Sequence, residues 1–241
     1  MACTVATGRW APPDDREVGM QASKRCMDVA LGAVLALLAV PVIAVLAVGV
    51  ALSLGCSPFF AQERVGRDGR IFRFWKLRTL PKAAPVYADK YAIKALETPR
   101  FTRFLRRTHL DELPQLFLVL RGRMSLVGPR PEMPQLHESG DEGFARARTS
   151  VRPGCTGLWQ VSVAYHQLIW EAPEYDLSYL RSANLWLDLW ILWRTAAMML
   201  GRAEPVTLDD VPRWLLHARA APSGGVAAAE VGALRSVSSC A

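Results

Sequence analysis

A mixed α/β chain, mainly helical, with one membrane helix ahead of a body that carries a short β-hairpin, is the fold class predicted by three observations. Val29 to Leu54 is an apolar run of 26 residues without a charge. Asp68-Gly69, a hairpin turn signal, separates two segments rich in aromatic and apolar residues. The 241 residues are 51% hydrophobic and 21% charged, which excludes a disordered chain, since disorder goes with low hydrophobicity.

The membrane helix comes first. As a straight helix at about 1.5 Å per residue the run would be about 39 Å long, beyond a hydrocarbon core of about 30 Å. It is too long, and begins too late, for a cleaved secretion signal. Pro41 near its middle cannot donate to Leu37 and restricts Val40, which predicts a kink. Basic residues flank both ends, Arg16, Lys24 and Arg25 before and Arg64, Arg67, Arg70, Arg73, Lys76 and Arg78 after. If basic flanks stay cytoplasmic, both ends belong on one side. Two readings stand at this point: a kinked spanning helix, or a helix that enters one leaflet, bends at Pro41 and returns.

The hairpin follows. Phe59-Phe60 opens one strand, Gly66, Asp68 and Gly69 form the turn, and Ile71 to Leu77 forms the second strand. One face of that strand carries Ile71, Arg73, Trp75 and Leu77, the other Phe72, Phe74 and Lys76. Thr98-Pro99 then starts a helix, with Thr98 as N-cap and Pro99 as first residue. Phe101, Phe104 and Leu105 form its apolar stripe, and Arg103, Arg106 and Arg107 a basic one. Such a helix suits a headgroup layer, as well as an ordinary protein surface.

Asp111 and Glu112 form an acidic pair between leucines, just after the arginines, with Pro114 two residues on. Pro is tolerated only in a first turn, so a helix start or sharp kink is predicted near Asp111. There the macrodipole would keep Asp111 ionised. An ionised Asp is a usable nucleophile toward phosphorus and a neighbouring Glu can bind Mg²⁺, whereas a plain cap and first-turn acid would have the same sequence. Two proline-bound loops display arginines: Gly128-Pro129-Arg130-Pro131 and Arg152-Pro153-Gly154. Rigidly held arginines suit bidentate binding of oxyanions.

Composition agrees with anionic partners. Of 29 basic residues only five are Lys, and the net charge is +7; phosphorylated small molecules, anionic lipid and nucleic acid are the classes this admits. Five scattered cysteines without a CxxC pair argue against a disulfide scaffold or zinc ribbon. No Walker A loop, Rossmann glycine pattern or nucleophile elbow occurs, and the four histidines are dispersed.

These blocks together resemble the bacterial sugar transferase family, the monotopic phosphoglycosyl transferases. The resemblance covers about Lys24 to Thr195. It includes Lys24-Arg25 with Asp28, Gln62-Glu63-Arg64-Val65-Gly66 and Lys76-Leu77-Arg78-Thr79. It continues through Leu110-Asp111-Glu112-Leu113-Pro114-Gln115-Leu116 and Met124 to Pro131. It closes with Arg152 to Val161, then Asp176, Tyr179 and Asp188. The resemblance implies a re-entrant membrane helix at residues 21–56 with its kink at Pro41, and a catalytic domain at 57–203 on the cytoplasmic face of a bacterial inner membrane. It implies transfer of a sugar-1-phosphate from a UDP-sugar to a polyprenyl phosphate with release of UMP. Asp111 matches the nucleophile that forms an aspartyl intermediate and Glu112 the Mg²⁺-binding partner. Lys76, Arg78, Arg130 and Arg152 match basic blocks and are candidates for holding phosphates. Nucleic acid is then not a partner, and self-association is left open. The rival reading is a non-catalytic, membrane-anchored basic protein that binds anionic lipid or nucleic acid. The sequence does not name the sugar.

The chain departs from the family pattern at Val40, where Ser usually precedes the proline, at Arg123, where an acid is usual, and at Leu118, often Asn. Residues 1–20 and 204–241 are expected to be largely mobile extensions. Trp186, Trp190 and Trp193 recur on the apolar stretch Asn184 to Leu200, where Asp188 and Arg194 make spanning costly. An interfacial helix and a core helix both fit that pattern.

Overall fold

A computed structural model describes residues 15–84, 98–138 and 141–216. The tails expected to be mobile at 1–14 and 217–241 lie outside the described residues.

Helix α1, Asp15–Leu54, is 40 residues long and contains Pro41. Asp28, Gly32, Ala36, Ala39, Ile43 and Val50 are buried, while Leu37, Leu38, Val45 and Leu52 are exposed. The buried positions recur every three or four residues, so one stripe faces the body on both sides of Pro41. At its N-terminal end Arg25 donates to the carbonyls of Val119 (2.7 Å) and Leu120 (3.0 Å). Asp28 accepts from Ser125 Oγ (3.0 Å) and the Leu126 amide (2.9 Å). Toward the other end, Gly49 lets the Phe101 ring approach; a Cβ there would lie 2.6 Å from Cζ.

Strands β1, Phe59–Val65, and β2, Ile71–Leu77, pair antiparallel from Phe59↔Leu77 to Val65↔Ile71. The turn uses Asp68 (φ 57°) and Gly69 (φ 72°) in succession, the left-handed geometry that Asp-Gly supplies at low cost. Phe72 and Phe74 are buried and Ile71, Arg73 and Trp75 exposed, so Lys76 shares the inward face.

Helix α2, Arg100–Arg107, begins one residue later than the sequence suggested. Pro99 occupies the N-cap with an extended ψ of 149°, and no side chain caps the helix. The acidic pair lies in a 3-10 turn, Leu110–Gln115, entered through left-handed His109 (φ 55°) and running directly into α3, Leu116–Leu120.

Strand β3, Ser125–Val127, pairs in parallel with β4, Gly154–Thr156. Nothing in the sequence signals this pairing, which brings the two proline-arginine loops together. Gly154 must be glycine here, because a Cβ would run into the backbone of Gly128 and Thr156. Three further helices complete the body: α4, Pro134–Glu138, α5, Glu142–Thr149, and α6, Pro173–Ser182.

Helix α7, Leu185–Met199, follows with Asn184 as its N-cap. It has two apolar faces. Leu187 and Ile191 are in the core, and Trp186 and Trp193 are exposed. Asp188 is buried but paired with Lys24 of α1, and Tyr179 hydrogen bonds to it at 2.8 Å. Beyond residue 203 the chain still packs, with Val206, Val211 and Leu215 buried in the same core.

Candidate active site

Three elements meet around the acidic pair. The 3-10 turn supplies Asp111 and Glu112, the inward face of β2 supplies Lys76, and the loop after β3 supplies Arg130. Arg130 grips Glu112 with a fork: Nη2 donates to Oε1 at 2.8 Å and Nη1 to Oε2 at 3.4 Å. Among the described residues no salt bridge engages Asp111, which is 5% exposed. In a 3-10 turn successive side chains diverge by about 120°, so the neighbouring acids meet different surroundings.

Those surroundings split their acidities. Burial first, then the negative charge of Glu112, push the Asp111 pKa up to about 6, against the pull of Lys76, Arg130 and Arg106. Glu112 is held down at about 2: burial opposes ionisation, but the charge and hydrogen bonds of Arg130, with Lys76 and His109, overcome it. Asp111 is still ionised above about pH 6, but the shift runs opposite to the one a helix dipole would give. The turn is too short for a strong dipole, and desolvation beside a second carboxylate dominates. Burial lowers the Lys76 pKa, with Asp111 and Glu112 acting the other way. Glu112 in turn raises that of Arg130.

Of the four basic candidates, Lys76 and Arg130 are brought to the acids. Arg78 stands 5.5 Å from the Phe60 ring centroid, as Lys76 does at 5.6 Å, but its guanidinium is bonded to the carbonyls of Ser57 (3.0 Å) and Phe59 (3.4 Å). Arg152 donates Nε to the Gly122 carbonyl at 3.1 Å, and the charges acting on it are Arg67, Arg25, Asp28 and Asp68. Arg106 acts on Asp111; the sequence had placed it only on a basic stripe. His109 acts on Glu112, and nothing in its dispersed position suggested that.

Among the described residues no three His, Cys, Asp or Glu side chains gather into a metal cage. Mg²⁺ does not require one. It keeps several waters and binds through one or two carboxylates together with substrate phosphates. An ionised Glu112 beside Asp111 fits that donor set, and the positive charges of Lys76, Arg106 and Arg130 act on the same acidic pair.

Comparison with known proteins gives a consistent result. The bacterial sugar transferase family matches residues 19–202. UDP-glucose:undecaprenyl-phosphate glucose-1-phosphate transferase of Escherichia coli is 36% identical over 184 residues, covering 71% of this chain and 39% of that protein. UDP-galactose-lipid carrier transferase of Erwinia amylovora is 39% identical over 172 residues, 61% of this chain and 34% of that protein. Exopolysaccharide production protein ExoY of Sinorhizobium fredii is 35% identical over 207 residues, 76% of this chain and 88% of that protein. The chain thus spans well under half the length of the first two and most of the third. With the family match running from the first turns of α1 to the end of α7, the chain belongs to the bacterial sugar transferase family.

Proposed function

We propose that this chain transfers a sugar-1-phosphate from a UDP-sugar to a polyprenyl phosphate at the cytoplasmic face of a bacterial inner membrane. The observation that carries the reading is the unequal acidic pair: Glu112 is gripped by Arg130, while among the described residues none forms a salt bridge with Asp111. The ionised Asp111 attacks the phosphorus that bears the sugar. The bond to the bridging oxygen breaks, UMP leaves with that electron pair, and an aspartyl sugar-phosphate forms. An oxygen of the polyprenyl phosphate then attacks the same phosphorus and Asp111 leaves as the carboxylate. Lys76, Arg106 and Arg130 offset the charge of the phosphates, and Glu112 would hold Mg²⁺, which supplies further neutralisation on the diphosphate. Arg152 remains a candidate for phosphate contacts on loading of the substrates; Arg78, whose guanidinium is held by the carbonyls of Ser57 and Phe59, is read as a support of the hairpin.

Membrane attachment through α1 supports a lipid acceptor. The helix has a 34-residue stretch, Gln21–Leu54, long and apolar enough to cross a bilayer. Re-entry is favoured because both ends contact one segment. Arg25 meets Val119 and Leu120, and Gly49 meets Phe101. These points are about 36 Å apart along a straight helix, more than a hydrocarbon core of about 30 Å. A spanning α1 would carry residues 100–120, with Arg103, Arg106, Arg107 and the acids, through the lipid, which is prohibitive. The exposed Trp186 and Trp193 of α7 suit the headgroup layer.

A panel of UDP-sugars with Mg²⁺ and polyprenyl phosphate, read by UMP release, tests the reaction. Mass spectrometry of the Asp111 peptide after donor alone tests the intermediate. Release of UMP with a sugar-phosphate adduct on Asp111 is expected; no UMP with any donor overturns the reading. The non-catalytic basic-anchor alternative finds no support in the family match.

A further inference from the structure

The loop that carries Arg130 cannot hold itself. Pro129 and Pro131 have no N–H, and the chain from 129 to 132 forms no helix or strand. Instead four successive carbonyls are bound from outside. The Gly154 amide donates to Pro129 (2.9 Å) and Arg148 Nη2 to Arg130 (2.6 Å). Arg64 Nη1 donates to Pro131 (3.1 Å) and the Val65 amide to Glu132 (2.9 Å).

Arg148 is the unusual member. Its side chain is 4% exposed, and its other two nitrogens are used as well: Nη1 meets Glu132 at 2.6 Å and Nε meets Asp176 at 2.7 Å. One buried cation thus stands between two buried carboxylates, from the loop itself and from α6. An apolar trio of similar volume would be as stable or more so, because desolvating three charges offsets most of their attraction. Stability alone does not account for the arrangement. What an apolar trio could not do is donate a charge-assisted hydrogen bond to the Arg130 carbonyl from a fixed direction. Arg130 in turn meets Glu112 through its side chain.

We propose that Arg148 is a positioning residue: anchored by Glu132 and Asp176, it fixes the backbone of Arg130 so that the Arg130 guanidinium stays on Glu112. Its effect on turnover rests on the transferase reading above; its effect on Arg130 does not. The loss of Arg148 leaves Glu132 and Asp176 buried without their counter-charge, so Arg148→Lys, which keeps a cation there, is the first variant. Asp176→Asn, which removes one anchor and leaves the arginine, is the second.

Two measurements on the full chain in detergent or nanodiscs test this. The first is the rate at which phenylglyoxal modifies Arg130, read by peptide mass spectrometry. Its side chain is 31% exposed, so reagent can reach it. Both variants are expected to raise that rate toward the value found in Glu112→Gln, where the grip is gone. The second is a double-mutant cycle on UMP release. A misplacement of about 1 Å costs about 100-fold in rate, and a loss of that order is expected in Arg148→Lys. Added to Arg130→Ala, it should cause little further loss, because both act through one contact. A residue that merely supports the fold would multiply its effect in the double variant and leave Arg130 reactivity unmoved. Unchanged Arg130 reactivity in both variants overturns the positioning role. If the wild-type chain turns over no donor, the transferase reading falls, and the reactivity measurement still decides the role of Arg148.

Discussion

Asp111→Asn separates the chemistry of the acidic pair from its stability. Burial and the charge of Glu112 lift the Asp111 pKa from an ordinary 3.8 to about 6. A carboxyl whose pKa is raised on folding holds its proton better in the folded state. Below about pH 4 both states are protonated and nothing is lost. As the pH rises the unfolded chain ionises first, and stability falls until the folded group ionises near pH 6. Above that the full penalty applies: two pKa units at about 1.4 kcal/mol each, or about 3 kcal/mol. Asn carries no charge and escapes it. The pull of Lys76 on the ionised carboxylate is already contained in that shift, so a gain of about 3 kcal/mol is expected at pH 8. Unfolding in detergent, followed for wild type and variant from pH 4 to pH 8, measures it. UMP release in the same preparations should be lost. The variant should be the more stable protein at pH 8, with the gap closing toward pH 4. An Asn variant that is less stable at pH 8, or a gap that widens as pH falls, would refute the argument. Either result would mean that Asp111 is held ionised by partners, as an ordinary helix cap would be.

Other consequences can be checked in the same preparations. The rate of UMP release should rise with pH through about 6, because the attacking carboxylate must be ionised; a flat profile from pH 5 to 8 would contradict it. Arg78→Lys loses donors to the carbonyls of Ser57 and Phe59 and should lower stability by about 1 kcal/mol. Its donor KM should be unchanged; a rise in KM with every donor would restore Arg78 to phosphate binding. Single cysteines at Arg16 and Arg67, in a cysteine-free chain, should both resist an impermeant thiol reagent in intact spheroplasts. Labelling at Arg16 alone would show a spanning α1.

What was legible in the sequence was local or carried by short-range patterns. The hairpin could be read because Asp68-Gly69 supplies two consecutive left-handed residues and the flanking segments suit strands. The acidic pair could be read from its motif, and Pro114 announced the irregular turn. The stripe along α1 could not. In an uninterrupted apolar run Ala36, Ala39 and Ile43 look no different from the exposed Leu37 and Leu38, so no amphipathic period reports the packed face. The β3–β4 pair is three residues per strand and joins segments nearly thirty residues apart, too short for a strand signal. Nothing in the sequence singles out Arg148, since its partners Glu132 and Asp176 lie 16 and 28 positions away. The direction of the Asp111 shift is illegible for the same reason. A macrodipole is a local property, whereas burial is set by the whole fold.

Asp111 and Glu112 have nearly the same side-chain chemistry and adjacent positions, so nothing local assigns one to metal and the other to attack. The difference comes from residue 130. Burial raises the pKa of both acids, but a guanidinium on Glu112 holds that carboxylate ionised, and its charge adds to burial in making ionisation harder for Asp111. A carboxylate with a raised pKa is the more basic of the two and the better nucleophile once deprotonated. The asymmetry survives only while Arg130 stays nearer Glu112 than Asp111. Arg130 has no secondary structure of its own to keep it there. It is held by a backbone whose carbonyls are fixed from β1, β4 and α5. The difference in acidity within the pair is therefore a property of the loop's supports as much as of the two acids.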